Sequence, residues 1–392
     1  MEKNKTVILS YARTPFGAFL GKLSKLSASY LGAAAIKGAI SRSEVKLSDI
    51  DEVIMGNVLS AGVGQAPSRQ AAIFAGLNKS TNCMTINKVC GSGMKSIMLA
   101  DQSIRLNQSN FVIAGGMESM SNAPHYLKGS RLGTKLGDIK QIDGMIYDGL
   151  WDVYNQVHMG NHGESCASKY EIGREEQDQY AESSYRRSQE AHNKSILANE
   201  ICDMADERGN AIEASDEEPF RVDFEKMKKL KSVFQKDGTI TAANASTIND
   251  GAVACLLSSE RKALDLGYKP KARILDYSSF SHDPEWFTTA PVLAIKKLLD
   301  KNNLSIKDID IFEINEAFSI VPIVAIKELN IDAEKVNIHG GAVSIGHPIG
   351  ASGARIIMSL VNALKVNNKK IGVAAICIGG GEATAMLIEN ID

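Results

Sequence analysis

The chain has 392 residues, enough for two core-bearing units of ordinary size, and 44% hydrophobic with 23% charged residues is a normal mixture for a globular protein. Its formal net charge of -2 gives no global attraction to nucleic acid or to an anionic membrane. The longest apolar runs, such as 373–378, are far shorter than the roughly 18 residues of a membrane span. We therefore expect neither nucleic acid nor a membrane as a partner.

The N-terminus and the cysteines predict the compartment. The first residues lead into the strand-like run Val7–Leu9 without an apolar signal region or an Arg-rich transit segment, which predicts a cytoplasmic protein. Six cysteines, at positions 83, 90, 166, 202, 255 and 377, show no CxxC pair and no regular spacing. This pattern argues against a disulfide framework and against a structural zinc site, so we expect free thiols and no metal.

The first part of the chain alternates strand-like and helix-like segments. Strands are predicted over 7–9, 53–55, 83–86 and 111–114, and helices over 27–40, around 69–73 and over 94–105. Short apolar strands separated by helices predict an α/β fold.

One cysteine lies where a strand gives way to a helix. In Asn87-Lys88-Val89-Cys90-Gly91-Ser92-Gly93, the two glycines permit a tight turn and close backbone approach. Cys90 would then lie at a helix N-terminus, where unpaired N–H groups and the dipole favour the thiolate and lower the cysteine pKa. Cys90 is therefore a candidate nucleophile, and the alternative is a small core residue.

The middle of the chain has a different character. From Met117 to about Ala245 the strand-like runs almost vanish, so we interpret about 119–245 as an inserted, mostly helical segment with its clearest helix over 174–196. Arg221 and the lysines at 226, 228, 229 and 231 form a basic cluster there. This cluster fits either a solvated helix face or a phosphate-binding surface.

The last third repeats the design of the first. Asp308-Ile309-Asp310 precedes a strand that ends at Asn315, as 49–51 precede the strand that ends at Asn57. The stretch 346–353 opens a helix as Cys90 to Gly93 does, and the strand 372–377 ends in three glycines. Such a duplication predicts two similar α/β layers that face each other, with equivalent helix N-termini meeting near a pseudo-twofold axis. Cys90 and His347 hold equivalent places in the two halves.

The duplication indicates a candidate catalytic base, His347. His347 is the best candidate base for a thiolate, because the residue before a proline has a restricted backbone. Cys377, at the end of a buried strand beside three glycines, is a possible second acid or base, and the alternative is a core cysteine. Asn315 is expected either to orient a water or the histidine, or to cap the helix that follows it.

At this point the sequence resembles the thiolase family over nearly its whole length. The matching motifs are Arg13-Thr14-Pro15-Phe16-Gly17, Asn87 to Gly93, Gly115-Gly116-Met117-Glu118, Asn315-Glu316-Ala317-Phe318, Gly340-Gly341-Ala342, Gly346-His347-Pro348-Ile349-Gly350-Ala351-Ser352-Gly353 and Cys377-Ile378-Gly379-Gly380-Gly381. The resemblance implies a duplicated core of two βαβαβ layers, stacked α-β-α-β-α, with the inserted loop domain. It divides the chain into an N-terminal domain, 1–268, and a C-terminal domain, 269–392.

The resemblance also assigns catalytic roles. Cys90 would carry the acyl group as a thioester, His347 would activate it, and Cys377 would move the α-proton of a second acyl group. Asn315 would hold a water that forms one oxyanion site with His347, and the backbone N–H groups of Cys90 and Gly379 would form the other. Coenzyme A thioesters are implied as substrates, and no cofactor is expected.

The inserted segment resembles that of the short-chain biosynthetic branch, which joins two acetyl-CoA molecules into acetoacetyl-CoA and CoA, or runs in reverse. In that branch Met159 and Phe318 would close the acyl pocket, His158 and Ser246 would contact the pantetheine arm, and Arg221 would lie against the adenine. Further substrate contacts are implied at Leu150, Ala242 and Ala317. The loop 119–149 resembles the one through which that branch assembles homotetramers, as dimers of dimers.

Three departures from the family pattern keep alternatives open. Ala243 and Thr247 replace glycines near Ser246 and are expected to weaken or reshape pantetheine binding, and Glu382 replaces an uncharged residue. Glu382 would raise the pKa of Cys377 if it were buried and close. The alternatives are a degradative thiolase of broader chain length, a decarboxylating ketoacyl synthase, and a catalytically silent acyl-CoA-binding homologue.

Overall fold

The computed structural model describes residues 5–133 and 135–392. Residues 1–4, part of the N-terminal stretch examined for a signal, and residue 134 in the predicted assembly loop lie outside the described residues.

Strands of four or more residues in the described chain form one continuous sheet. They are β1 (Thr6–Arg13), β2 (Glu52–Gly56), β3 (Asn82–Ile86), β4 (Phe111–Ser119), β5 (Asn249–Ser259), β6 (Ala272–Ser281), β7 (Ile311–Ile314), β8 (Ile371–Ile378) and β9 (Glu382–Asn390). Their order is β7-β8-β9-β6-β1-β5-β4-β2-β3, and the two-residue strand Gly17–Ala18 pairs with β5.

The order of the strands confirms the predicted duplication. From the centre outward, β1-β5-β4-β2 and β6-β9-β8-β7 repeat the same pairing: antiparallel, antiparallel, parallel. Within the sheet, the two halves pair along β1 and β6, where Thr6–Ile8 pairs with Ala272–Ile274. A chain that repeats one supersecondary unit buries the face of each copy against the other.

The helices of the described chain build the layers around the two halves of the sheet. They are α1 (Ala28–Ser41), α2 (Pro67–Phe74), α3 (Ser92–Arg105), α4 (Met159–Lys169), α5 (Arg174–Asn193), α6 (Phe224–Met227), α7 (Glu260–Asp265), α8 (Ala290–Lys301), α9 (Ile320–Leu329), α10 (Ala342–Ile345) and α11 (Ile349–Val366). α3 and α11 pack on each other between the two halves, while α1 and α2 cover the outer face of one half and α8 that of the other. This is the expected α-β-α-β-α stack.

The central helix α11 is apolar because it is enclosed on all sides. It is long and apolar enough to cross a bilayer, but 89% of it is buried inside the protein, as in the core helix of a folded domain. Its side chains share one apolar cluster with α3, β4 and β8. The helix begins at Ile349, so most of the Gly-rich stretch 346–353 that was predicted to open it is already helical.

The inserted segment is less regular than the prediction. Its two long helices are α4 and α5, and α5 ends at Asn193, before a short 3-10 turn over Ile196–Asn199. The other regular parts are short helical turns and three two-residue hairpins, which pair His125–Tyr126 with Ile142–Asp143, Trp151–Asp152 with Val157–His158, and Met204–Ala205 with Ala211–Ile212. The inserted segment therefore consists of two long helices joined by turns, short helical turns and short hairpins, and it is not mostly helical.

Candidate active site

The loop between β3 and α3 holds Cys90 in a tight turn. Val89 has a positive φ of 45°, and Asn87 Oδ1 accepts the Val89 N–H at 2.9 Å. Ser92 Oγ accepts the Lys88 N–H at 2.8 Å and donates to the Val89 carbonyl at 2.6 Å. These side-chain bonds replace the ladder and helix bonds that the turn lacks, and they fix the backbone on both sides of Cys90.

Two equivalent glycines bring the halves together. A Cβ on Gly93 would lie 2.6 Å from the Ala354 nitrogen, and a Cβ on Gly353 would lie 2.5 Å from the Met94 nitrogen. The contact is reciprocal, as a pseudo-twofold axis between α3 and α11 requires. Only glycine permits this approach, and it places the N-termini of the two helices side by side.

His347 precedes α11 and is a neutral base in this structure. Its Nδ1 is 2.6 Å from Ser352 Oγ, and that hydroxyl donates its hydrogen to the Pro348 carbonyl at 2.9 Å. Ser352 therefore accepts, Nδ1 carries the imidazole proton, and the lone pair is on Nε2. Nε2 is buried and has no hydrogen-bond partner among the described residues. Burial and the charge of Arg355 lower the pKa of His347 to about 3.

Cys90 and Cys377 lie at one centre. The backbone N–H groups of Gly379 and Cys90 are directed at the Cys90 sulfur, and those of Cys377 and Ala317 at the Cys377 sulfur. The two thiols are close enough that a charge on Cys90 raises the pKa of Cys377. Three separate parts of the chain thus meet at one centre, which includes Cys90, Ala317, Cys377 and Gly379.

The predicted low pKa of Cys90 is wrong for the unliganded protein. Burial raises the pKa of its thiol to about 11, although the Gly379 and Cys90 N–H groups act in the opposite direction. The residue keeps a partly exposed edge, but its sulfur is enclosed by protein. Burial likewise raises the pKa of Cys377 well above that of a free thiol. The loss of hydration outweighs the helix dipole, so the resting Cys90 side chain is a neutral thiol.

Asn315 is oriented by a residue that the sequence analysis did not identify. Its Oδ1 accepts from Arg355 Nη2 at 3.1 Å, so its Nδ2 faces away, and this nitrogen is buried without a hydrogen-bond partner in the described part of the chain. Arg355 also pairs with Glu313 at 3.3 Å inside the core. The alternative of a helix cap is wrong, because the N-cap of α9 is Ser319. Asn315 therefore has a free amide donor, as a water-binding residue needs.

Three of the predicted coenzyme contacts line one surface cleft. Arg221, Ala242 and Ser246 border a cavity of about 590 Å³ whose wall also includes Phe234 and Thr247. The Arg221 side chain is exposed and reaches Glu218 at 3.6 Å. The lysines at 226, 228, 229 and 231 are exposed as well, so both interpretations of the basic cluster stay open.

The predicted acyl-pocket residues connect that cleft to the centre. His158 stacks on Phe234, with ring centroids 4.7 Å apart, and Phe234 meets Phe318 edge-on at 6.0 Å. The Met159 Cε lies 3.5 Å from the point where a Cβ on Gly379 would stand. A continuous apolar and aromatic wall thus runs from the cleft to the backbone donors around Cys90. Leu150 packs at the edge of a separate small cluster that Cys90 also borders.

The contacts of Ala243 and Glu382 explain two of the three departures from the family pattern. Ala243 is buried among apolar side chains of α5 and α10, so its methyl group fills the core rather than the cleft. Glu382 is half-buried and pairs with Lys88, and it also accepts from Ser281 Oγ at 3.0 Å. Partial burial opposes ionisation of Glu382, but Lys88 lowers its pKa. Glu382 therefore joins the loops of Cys90 and Cys377 instead of perturbing Cys377.

Three residues that orient the predicted side chains were not found from the sequence. Ser352, Arg355 and Asn249, which accepts the His347 N–H at 3.0 Å, touch the predicted residues but carry no reactive group. Ser352 could have been found, because a hydroxyl five residues after a histidine at a helix start is within reach of it. The contacts of Arg355 and Asn249 join segments that are far apart in the sequence, so no local sequence pattern predicts them.

Comparison with known proteins agrees with this geometry. The family models "Thiolase, N-terminal domain" and "Thiolase, C-terminal domain" match residues 6–261 and 268–390. The chain is 50% identical to "Acetyl-CoA acetyltransferase, mitochondrial" of Mus musculus, covering 99% of this chain and 92% of that protein, and 47% identical to "Acetyl-CoA acetyltransferase" of Schizosaccharomyces pombe, covering 100% of both. The crystal structure of the Acat5 thiolase from Ascaris suum in complex with coenzyme A superimposes with a TM-score of 0.94 at 44% identity, covering 99% of this chain and 100% of that one. The chain belongs to the thiolase family.

Proposed function

We propose that this thiolase is an acetyl-CoA C-acetyltransferase, which condenses two acetyl-CoA molecules into acetoacetyl-CoA and CoA and also runs in reverse. The observation that carries the proposal is the meeting of Cys90, Cys377 and the Gly379 N–H at one buried centre, with Ile349, two residues after His347, in the small apolar cluster that Cys90 borders. Relatives near 50% identity that bear this name, matched over nearly their full length, support the choice of substrate. The coenzyme A thioesters are substrates, and the proposed chemistry uses no cofactor.

The first step is acyl transfer. His347 Nε2 takes the Cys90 proton as the sulfur attacks the thioester carbonyl, and the new carbonyl oxyanion is held by preorganised donors. The bond from the carbonyl carbon to the CoA sulfur breaks, and the CoA thiolate takes the proton from His347. The enzyme is left with an acetyl thioester on Cys90.

The second step is carbon–carbon bond formation. Cys377 gives its thiol proton to His347, and the thiolate so formed removes a methyl proton from the second acetyl-CoA. The enolate oxygen is held at the site of His347 and of a water bound by Asn315 Nδ2. The enolate carbon attacks the acetyl group on Cys90, whose oxyanion faces the Cys90 and Gly379 N–H groups. Acetoacetyl-CoA forms, the Cys90 sulfur leaves as a thiolate and takes the proton from His347, and Cys377 keeps the methyl proton, so all three groups return to their neutral starting state. Each oxyanion donor contributes about 3 kcal/mol in comparable enzymes.

The deciding experiment is brief incubation of the purified protein with acetyl-CoA, followed by intact mass and peptide mapping. We expect one acetyl group on Cys90 and none in Cys90→Ala. Saturable acetyl-CoA binding without an adduct on any cysteine would instead identify the silent acyl-CoA-binding homologue.

Short acyl chains are proposed because Met159 and Phe318 lie beside the catalytic backbone and close the apolar wall. Turnover of acetoacetyl-CoA should exceed that of a long-chain 3-ketoacyl-CoA, and the opposite ranking would identify the broader-chain thiolase. Turnover of a malonyl thioester would identify the decarboxylating synthase, which uses a second histidine where this chain has Cys377.

We also propose a homotetramer, with the loop 119–149 in its assembly, and a cytoplasmic location. Light scattering after gel filtration tests the first, and cell fractionation tests the second. The mouse relative is named as mitochondrial, so recovery in an organelle fraction would overturn the predicted compartment.

A further inference from the structure

Thr247 is at the wall of the coenzyme cleft but directs its hydroxyl group away from it. The side chain is half-buried between Ser246 and Ile248, which line the same cavity. Its Oγ1 donates to Asn249 Oδ1 at 2.8 Å. The expected effect of this departure was added bulk in the cleft, whereas the structure gives its hydroxyl an interior partner.

Asn249 links that hydroxyl to the catalytic histidine. The side chain is fully buried, and its Oδ1 also accepts the backbone N–H of His347 at 3.0 Å. Its Nδ2 donates to the Gly17 carbonyl at 3.0 Å, which fixes which end of the amide faces His347. Gly346 has a φ of 114°, and a Cβ there would lie 2.4 Å from Asn249 Cγ. The backbone that enters His347 therefore rests directly on the Asn249 amide.

This arrangement makes the position of the imidazole depend on the cleft. Asn249 Oδ1 is held by two donors, one from the cleft wall and one from His347. Removing the Thr247 donor leaves the amide held on that side by the His347 N–H alone, so the amide and the backbone above it gain freedom to shift. Proton transfer from Cys90 to His347 Nε2 requires near-contact geometry, and small misplacements of catalytic groups slow such steps steeply.

We propose that Thr247 is a positioning residue that couples the coenzyme cleft to His347 through Asn249. The inference rests on the proposed acetyl-transfer function. It assigns the Thr247 hydroxyl a role in the rate of Cys90 acetylation, not in the affinity for acetyl-CoA.

The test compares Thr247→Val, which keeps the shape and removes the donor, with Thr247→Ser, which keeps the donor and removes a methyl group. Single-turnover acetylation of Cys90 is followed by rapid quench and mass spectrometry over a range of acetyl-CoA concentrations. Because a neutral hydrogen bond of this kind is modest, the saturating rate of the Val variant should fall about three- to tenfold, with half-saturation within about twofold of the wild type. The Ser variant should keep the wild-type rate within about twofold.

Several outcomes would overturn the proposal. They are a Val variant as fast as the wild type at saturation, a Val variant changed only in half-saturation, and a Ser variant as slow as the Val variant. Thr247→Ala, which also lacks the donor, should reproduce the loss of rate, and it replaces the Val variant if that protein does not fold. If the wild type itself forms no acetyl-Cys90, the proposed function fails rather than the role of Thr247.

Discussion

The tautomer of His347 depends on one hydroxyl group, and its removal gives a quantitative prediction. Ser352 Oγ receives the Nδ1–H at 2.6 Å because its own hydrogen is committed to the Pro348 carbonyl at 2.9 Å. In Ser352→Ala the buried Nδ1–H has no acceptor. The tautomer that presents a bare Nε2 to Cys90 then loses its stabilisation relative to the tautomer that is protonated on Nε2.

The magnitude follows from the burial of the imidazole. A buried donor left without a partner costs about 1–3 kcal/mol. At 1.4 kcal/mol for each factor of ten, the acetylation of Cys90 should slow by about 5- to 150-fold. Affinity for acetyl-CoA should change little, since Ser352 is buried beneath the imidazole on α11.

The assay is single-turnover acetylation of Cys90, with thermal unfolding recorded for each variant. Ser359→Ala is the matched control, because Ser359 is also a buried serine of α11 and its Oγ lies 3.4 Å from Glu200, away from His347. The control should acetylate within about twofold of the wild type. A Ser352→Ala protein with wild-type rate and unchanged melting temperature would refute the assignment of the tautomer.

Three other predictions follow from charges and burial. With a thiol pKa of about 11, alkylation of Cys90 by iodoacetamide, read by peptide mapping, should rise close to tenfold per pH unit up to pH 9.5, and a plateau near pH 7 would contradict the burial argument. Arg13→Met removes the arginine that pairs with the buried carboxylates of Glu200 and Asp216, and it should lower the free energy of unfolding in urea by about 3–5 kcal/mol. Arg186→Met on the surface should cost under about 1 kcal/mol, and equal losses from the two substitutions would count against a stabilising role of the buried ion pairs. A double-mutant cycle of Lys88→Met and Glu382→Gln should give a coupling of under about 1 kcal/mol in stability, and a larger value would mean that the pair is buried more deeply than its position indicates.

The fold and the reactive side chains could be predicted because their signals are local and repeated. The glycines around Cys90 and His347, and the strands that end at Asn57 and Asn315, recur at equivalent places in the two halves. A duplicated unit has few ways to bury its faces, so symmetry alone brings the two helix N-termini together.

The electrostatics could not be predicted, because they come from contacts between distant segments. The sequence around Cys90 shows a helix start, which lowers a thiol pKa, but not the packing of Ile378 against Gly91, where a Cβ would lie 2.4 Å from Ile378 Cδ1. Arg355 illustrates the same limit, since its partners Glu313 and Asn315 are about 40 residues away along the chain. Shifts in pKa that come from burial can therefore be found only from the folded structure.

The burial that keeps Cys90, Cys377 and His347 neutral also explains how the reaction is controlled. A thiolate–imidazolium pair formed in the resting enzyme would have to exist without hydration, and the pKa values of about 11 for Cys90 and about 3 for His347 show that it is strongly disfavoured. In the proposed mechanism, charge therefore develops mainly when a thioester carbonyl is present to receive it and the N–H groups of Cys90 and Gly379 face the new oxyanion. Since those donors belong to fixed backbone at the ends of β3 and β8, they need no rearrangement during the step. The same loss of hydration that keeps the ground state uncharged also strengthens the donors in the proposed transition state.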